Sequence, residues 1–198
     1  MICRCKILVL LAVIGFCSFF YYKSCRSDMS VKLISNQTDF SEEKSTFLKA
    51  YSFLYSGITD QLKMDDLQQA LNERFEKEKE LIIEKDNGIV GVSVFDEERN
   101  VAFFSFDNKE LEESIRMRRC AIDPESKIED VVKNIKNFIF KKFEKINSIK
   151  TIVLKSSNVE KRLLMKFGFK PIETVFEDYD PEKYVVFELR GSRACIPG

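Results

Sequence analysis

The stretch that decides the fold covers residues 114–139 and reads SIRMRRCAIDPESKIEDVVKNIKNFI. Residues 114–122 have the apolar and β-branched content of a strand, and Asp123-Pro124 ends it because proline cannot donate to a strand ladder. Beyond Pro124, apolar residues recur at helical spacing on one face, while lysines occupy much of the other. The sequence therefore predicts a strand, a corner and a long amphipathic helix, in that order.

Hydrophobic periodicity on both sides of this stretch predicts the remaining elements. Upstream, it predicts strands over residues 31–34, 81–84, 89–95 and 101–106, and helices over 47–58 and 64–75. Downstream, it predicts strands over 149–154, 171–176 and 184–189 and a short helix over 159–167. Asp86-Asn87-Gly88 is a hairpin signal between two of the upstream strands. The order β-α-α-β-β-β-β-α-β-α-β-β indicates an α+β domain over residues 31–190.

Two local motifs carry a resemblance to a known family. Arg119-Cys120-Ala121-Ile122-Asp123-Pro124-Glu125 is a strand that enters a V-D-P-E-like corner, and NVEKRLLMKFGFKP (158–171) is a short helix that ends at Gly168-Phe169. With the element order, they resemble the GNAT family, the acyl-CoA N-acyltransferases, from about Leu81 onward. The resemblance implies a GNAT-like α+β (α/β) fold with a mixed central sheet of six or seven strands and about four helices.

The resemblance also implies a chemistry, which is direct transfer of an acyl group from acetyl-CoA or another acyl-CoA to an amine. In that family the central strand splays from its neighbour, so that free main-chain N–H groups can stabilise the thioester oxyanion. The backbone of Cys120, Ala121 and Ile122 would fill this role. A carboxylate must accept the proton of the amine, and Glu84 is our candidate, with Glu113 as the alternative. The acceptor amine is not identified.

The same resemblance places the coenzyme A diphosphate on the N-terminus of the long helix. The residues that would bind it are Lys127, Ile128, Glu129, Asp130, Val131 and Val132, joined by Ala121, Ile122 and Asn158. This segment lacks the glycines typical of the family. Ser126 and Glu129 instead match a capping box, which would satisfy the N–H groups that phosphates need. A self-capped helix without a bound anion therefore stays open as the alternative.

Other positions of the motif depart from the family pattern. Leu164 stands where the family has the tyrosine that protonates the leaving thiolate, and Tyr179 or Tyr184 could supply a phenol instead. Asn158 either contacts the cofactor or caps its helix. These departures leave a second hypothesis, a catalytically inactive GNAT-fold binding module, and a third, an α/β domain with a merely similar element order.

Composition excludes several classes of function. The chain has 198 residues, no histidine, and 32 basic against 32 acidic side chains. Mechanisms that need a histidine base or ligand are therefore unavailable to this chain alone. A zero net charge argues against a general nucleic-acid binder. Only Cys120 and Cys195 lie outside the N-terminal segment and no CxxC pair occurs, so neither a disulfide framework nor a zinc ribbon is indicated.

Residues 1–27 form a separate N-terminal segment. A predominantly apolar run over residues 7–22 is flanked by Arg4, Lys6, Lys23 and Arg26. As a helix it would extend roughly 24 Å against about 30 Å of hydrocarbon, a gap that flanking cations can close by snorkelling. We expect an N-terminal apolar helix that anchors the protein in a lipid bilayer; the alternative is a signal peptide whose cleavage releases a secreted protein. Residues 191–198 are expected to be a disordered tail.

Overall fold

The computed structural model describes residues 29–35, 39–55, 61–84, 88–108, 113–174, 176 and 179–191. The predicted anchor and tail, residues 1–27 and nearly all of 191–198, lie outside these ranges and stay predictions. Among the described helices, none is long and apolar enough to cross a membrane.

A mixed sheet of seven strands forms the centre of the protein. The strands are Met29–Leu33 (β1), Ile89–Asp96 (β2), Arg99–Asp107 (β3), Ser114–Ile122 (β4), Ser148–Leu154 (β5), Lys170–Ile172 (β6) and Tyr184–Arg190 (β7). Their spatial order is β1-β2-β3-β4-β5-β7-β6. β4 and β5 pair in parallel, and every other neighbouring pair is antiparallel. The predicted mixed sheet is confirmed.

Four helices cover the sheet. They are Ser41–Leu54 (α1), Gln61–Ile83 (α2), Ile128–Lys142 (α3) and Asn158–Lys166 (α4). The N-terminal pair packs on one face of the sheet, where Phe47 and Phe75 surround Phe103 of β3. The other two helices lie on the opposite face, where Ile135 and Leu164 join the larger apolar core. The fold thus has three layers, and β4 lies at its centre.

The predicted strand over residues 81–84 is wrong, because these residues belong to the end of α2 and its exit. The inward face of α2 continues past Phe75 through Glu78 to Ile82, with spacings of three and four residues that keep it on one side of the helix. Glu78 is buried in that face. A charged residue interrupts the apolar pattern there, so the pattern predicts a helix that ends too early.

Two other predicted boundaries differ from the structure. The predicted hairpin at Asp86-Asn87-Gly88 is wrong, because the element before it is the helix α2 and not a strand; residues 85–87 themselves lie outside the described ranges. Gly88 has a φ of +72°, a conformation that favours glycine. The tight hairpin of the sheet joins β2 to β3 through Glu97 and Glu98. The predicted strand over residues 171–176 is shorter than expected and ends at Ile172.

Candidate active site

The central structural feature of the site is a gap between β4 and β5. The two strands pair over three residue pairs only, from Ser114 opposite Ser148 to Arg116 opposite Lys150. Each strand then continues for several residues without the other as its partner. Because main-chain groups of a strand alternate between its two edges, some amides of residues 117–122 face this gap. Strands paired along their whole length would have favoured the third hypothesis, an α/β domain with a merely similar element order, and the opening argues against it.

A side-chain contact marks the point where the strands part. The Thr151 hydroxyl donates a hydrogen bond of 3.1 Å to the Met117 carbonyl oxygen, directly after the last residue pair of the ladder. Thr151 is buried. Its hydroxyl bridges the two strands at the base of the gap.

A β-bulge in β4 controls which side chains reach the N-terminal helix layer. Ser105 pairs with Arg119 and Phe106 with Met117, so Arg118 is an extra residue in the register. An extra residue interrupts the alternation of side chains between the two faces of a strand. As a result, consecutive residues Arg118 and Arg119 both reach Glu78 of α2.

The buried carboxylate of Glu78 holds this arrangement in place. Arg118 Nε donates to Glu78 Oε1 at 3.0 Å, and the Ser105 hydroxyl donates to the same oxygen at 2.7 Å. Arg119 Nε lies 3.5 Å from Glu78 Oε2. Burial alone would raise the pKa of Glu78, but hydrogen bonds from Arg118 and Ser105 outweigh it and lower that pKa below its ordinary value. Glu78 is therefore an ionised buried anchor of the β4 arginines.

The gap opens into a cleft of about 390 Å³, a size suited to a small-molecule site. Residues from both layers of helices line it, so the cleft reaches through the sheet. The strand walls include Met117, Cys120, Thr151, Ile152 and Leu154. The N-terminal helices contribute Tyr51, Leu54, Tyr55 and Arg74. The α4 wall consists of Glu160, Leu163, Leu164 and Phe167.

Charged and phenolic groups are concentrated along this cleft. Four arginines line it, Arg74, Arg116, Arg118 and Arg119, whereas Glu160 is its lining carboxylate. Among the described residues, the Glu160 carboxylate has no hydrogen-bond or ion-pair partner. Tyr179 and Tyr184 also line the cleft, with ring centroids 5.4 Å apart in an edge-to-face contact. The cleft thus combines an unpaired carboxylate with phenols on a largely cationic surface.

Two groups in the cleft have a pKa that is raised well above neutral pH, so both stay protonated. Burial raises the pKa of the Cys120 thiol to about 12, and the negative charge of Glu160 adds to the effect. Burial also raises the pKa of the Tyr51 phenol to about 12, against the opposing effect of Arg74. Cys120 is therefore a neutral thiol at physiological pH, and a thiolate nucleophile is not expected there.

The predicted catalytic residues lie in different surroundings. Cys120 lines the cleft, and its neighbour Ala121 is fully buried on the opposite side of β4, in the core beneath the N-terminal helices. Ile122 is half-buried and packs against the larger core. Glu84 is exposed at the exit of α2 and is not among the residues that line the cleft. Glu113 is also absent from the lining, and its carboxylate accepts a hydrogen bond from Asn147.

The predicted diphosphate site is the start of α3, and its predicted capping box is wrong. The Ser126 hydroxyl donates to the Asp123 carbonyl oxygen at 2.7 Å, so it does not cap the helix. Lys127 is the N-cap residue, and no side chain caps this end. Asp123 shapes the corner by accepting the Glu125 N–H at 3.0 Å and pairing with Lys49. The Asp130 N–H donates to the Lys127 carbonyl oxygen at 3.0 Å, so the main-chain donors that an anion could use in the first turn are those of Ile128 and Glu129. Glu129 and Asp130 place negative charge beside them.

The other residues of the predicted cofactor site are spread over two regions. Val131 is buried in the core, and Val132 lines a small second cavity beside Cys120. Asn158 is an exposed first residue of α4; Ser157 is the N-cap, without a side-chain cap, so the capping role considered for Asn158 is wrong. Leu164, at the family's tyrosine position, is a cleft residue.

Sequence reasoning missed the arginines, Tyr51 and Glu160. Nothing in the run Arg116-Met117-Arg118-Arg119 reveals a bulge, because strict alternation would place Arg118 and Arg119 on opposite faces. The one available signal for Glu160 was its position within the α4 motif, two residues after Asn158.

Comparisons with solved structures show the fold. The chain resembles the PaiA N-acetyltransferase of Thermoplasma acidophilum in complex with coenzyme A, with a TM-score of 0.59 and 14% identity over 83% of this chain and 99% of that one. It also resembles an acetyltransferase from Thermus thermophilus, with a TM-score of 0.53 and 10% identity over 82% and 96% of the two chains. No protein-family model and no curated protein matches the sequence. The GNAT-like fold expected from the sequence is thereby confirmed.

Proposed function

We propose that this protein is an N-acyltransferase that transfers an acyl group from acyl-CoA directly to an amine. The observation that carries the proposal is the separation of β4 and β5 directly after Arg116 and Lys150. That gap leaves main-chain N–H groups of β4 without strand partners inside a cleft, where they can stabilise a developing oxyanion. The fold shared with acetyltransferase structures supports the same conclusion.

Acyl-CoA fits the described residues in two places. The first turn of α3 offers main-chain N–H groups without a side-chain cap, and Lys127 adds a positive charge there. The gap between β4 and β5 offers a partly apolar passage lined by Met117 and Ile152. When bound, acyl-CoA supplies an acyl carbon activated as a thioester. Ala121 and Asn158 do not line the cleft, and their predicted contacts with the cofactor stay predictions.

Glu160 takes the role of general base in this proposal. Its carboxylate lines the cleft and is unpaired among the described residues, whereas Glu84 is exposed elsewhere. Glu160 accepts the proton that the amine loses as its nitrogen forms the new bond to the acyl carbon. The carbon–sulfur bond then breaks, and Tyr179 or Tyr184 donates a proton to the leaving thiolate. In this proposal the amine attacks the acyl carbon directly, and burial, which raises the pKa of the Cys120 thiol, disfavours an acyl-cysteine intermediate.

Two features favour the alternative of an inactive binding module. Glu129 and Asp130 oppose phosphate at the start of α3, and Leu164 has no proton to donate. Either feature would weaken an enzyme of this design without altering its fold.

Two measurements on the full chain in a mild detergent separate these functions. Isothermal titration with acetyl-CoA reports binding, and release of free thiol in the presence of amines reports transfer. An N-acyltransferase binds acetyl-CoA and releases thiol only when an amine acceptor is present. Binding without thiol release for any amine supports the inactive module, and the absence of heat with acetyl-CoA contradicts the proposal.

A membrane location belongs to the proposal as well and rests on the apolar run over residues 7–22 alone. An anchored protein remains with the membrane fraction after a high-salt wash and is released by detergent. Recovery of the processed chain in the medium would support the secreted alternative.

A further inference from the structure

The cleft has a wall of guanidinium groups that the acyl-transfer chemistry does not require. Three of its four arginines come from β4 and the fourth, Arg74, from α2. Two carboxylates pair with the β4 arginines: Asp107 with Arg116 at 3.1 Å, and Glu78 with Arg118 and Arg119. Within the described part of the chain, this wall has four arginines and two carboxylates that pair with them. It therefore has an excess of two positive charges. Neither carboxylate lines the cleft, which therefore presents guanidinium groups to its interior.

Arg74 and Arg119 account for that excess. Among the described residues, Arg74 forms no ion pair, and its guanidinium carbon lies 5.5 Å from the Tyr51 ring centroid. Arg119 shares Glu78 with Arg118, and its buried Nε has no hydrogen-bond partner in the described part of the chain. Burial and the charge of Arg74 lower the pKa of Arg119. Like charges held close together and incompletely paired destabilise a protein, and a bound anion would relieve that cost.

The opposite wall carries the complementary charge. Glu160 of α4 lines the same cleft, and Tyr51 lies within electrostatic range of Glu160 and of both arginines. A molecule with an ammonium at one end and an oxyanion at the other matches this arrangement. Its ammonium would approach Glu160, and its oxyanion would approach Arg74 and Arg119. Arginine suits this task because its planar fork binds carboxylate and phosphate with two parallel hydrogen bonds.

We infer that the acceptor is a small amine that also carries a carboxylate or phosphate-type group, bound by Arg74 and Arg119 while its amine faces Glu160. The inference rests on the proposed function where it calls this molecule the acceptor. Binding of such a molecule in the cleft does not depend on the proposed function. A small-molecule acceptor is favoured over a polypeptide because the cleft has a volume of about 390 Å³. Amines with several positive charges are disfavoured by the arginine wall.

Equilibrium titrations of the full chain in a mild non-ionic detergent test the inference. The probes are β-alanine, 2-aminoethylphosphonate and β-alaninamide, which offer the same amine beside a carboxylate, a phosphonate or a neutral amide. We expect at least one anionic probe to bind roughly tenfold or more tightly than β-alaninamide, since hydrogen bonds to charged groups are worth that much. The stronger of the two anionic probes identifies the preferred oxyanion. Putrescine, which has two amines and no anion, should bind no better than β-alaninamide.

Arg74→Gln is the main variant, because Arg74 is exposed and its loss leaves the Glu78 cluster intact. It should remove most of the preference for the anionic probe, and Arg74→Lys should restore part of it. Arg162→Gln is the matched control, because Arg162 is an exposed arginine of α4 that does not line the cleft. This variant should prefer the anionic probe over β-alaninamide as strongly as the parent chain does.

Several outcomes overturn the inference. They are equal affinity for β-alanine and β-alaninamide, absence of binding by all three probes, and an unchanged preference in Arg74→Gln. A parallel titration with acetyl-CoA keeps the two proposals apart. Binding of acetyl-CoA without discrimination among probes overturns this inference alone. Discrimination without acetyl-CoA binding overturns the proposed function and leaves an anion-binding cleft.

Discussion

The Thr151 hydroxyl donates a 3.1 Å hydrogen bond to the Met117 carbonyl oxygen, one position beyond the last β4–β5 residue pair. This contact joins the strands where they begin to separate. Both residues line the cleft, so the hydrogen bond forms part of its floor. The gap is thus a defined feature with a side-chain brace at its base.

Replacing Thr151 by valine tests this brace. Thr151→Val keeps the shape of the side chain but removes the donor to a buried carbonyl oxygen, so the free energy of unfolding should fall by about 1 kcal/mol. Thr151→Ser keeps the hydroxyl and removes only the buried γ-methyl group, so it measures the packing loss separately from the loss of the hydrogen bond. Urea denaturation followed by circular dichroism measures both values. A valine variant as stable as the parent would show that the hydroxyl does not brace the gap.

Glu78 should be more sensitive to substitution than Glu76 of the same helix. Glu78→Gln removes the negative charge that balances Arg118 and Arg119, and breaking a buried ion pair in this way costs about 3 kcal/mol. Glu76→Gln is the control on the same helix, where the half-exposed pair with Lys44 contributes less than about 1 kcal/mol. Equal losses in the two variants would contradict the role given to Glu78.

The ionised state of Glu78 also predicts a pH dependence. Its pKa is lower in the folded protein than in the unfolded chain, so the unfolded chain binds a proton more readily. The stabilisation from Glu78 is therefore complete above the unfolded value of about 4.3 and is lost as the pH falls through the folded pKa. Urea midpoints measured from pH 7 down to pH 3 should decrease less steeply for Glu78→Gln than for the parent. Parallel curves would refute this assignment.

Much of the fold was predictable from the sequence because it depends on periodic apolar residues. The strand before Asp123-Pro124 was predicted with its bounds, and the amphipathic helix was predicted after it in the correct order. The extent of α2 was not predictable in the same way, because buried Glu78 occupies an apolar position of its inward face. A buried charge depends on partners from β3 and β4, which periodicity does not reveal.

The site was less predictable than the fold for a similar reason. The gap follows from the family resemblance, but the bulge at Arg118 and the inward positions of Tyr179 and Tyr184 depend on tertiary packing. The Ser126 hydroxyl shows the same limit. Local spacing predicted a capping box, but Ser126 bonds to the Asp123 carbonyl oxygen.

Cys120 should take no covalent part in the reaction. With a pKa raised to about 12 by burial, its thiol is almost entirely protonated at neutral pH and reacts slowly with thiol reagents in the folded chain. Cys120→Ala should retain most of the acyl-transfer rate. Intact-mass spectrometry of the parent after mixing with acetyl-CoA, without an acceptor, should show no acetyl adduct on Cys120. A stoichiometric adduct that an amine then removes would contradict direct transfer.

Glu160 should control the rate of transfer. Glu160→Gln removes the proposed base and should lower kcat by roughly 10²- to 10⁴-fold, with little change in acetyl-CoA affinity. The matched control is Glu144→Gln, an exposed glutamate outside the cleft, which should behave like the parent. Steady-state thiol release measures kcat, and isothermal titration measures affinity. A fully active Glu160→Gln variant would require a different base, and Glu84→Gln would then be the next variant to measure.

The claim on which the proposed mechanism rests is that main-chain amides of β4 bind the acyl thioester inside the gap. Hydrogen–deuterium exchange with and without saturating acetyl-CoA tests it most directly, because unpartnered amides exchange faster than those in a ladder. The account predicts new protection in peptides that cover residues 117–122 and none in β2. Acetyl-CoA binding that leaves the exchange of residues 117–122 unchanged would contradict it.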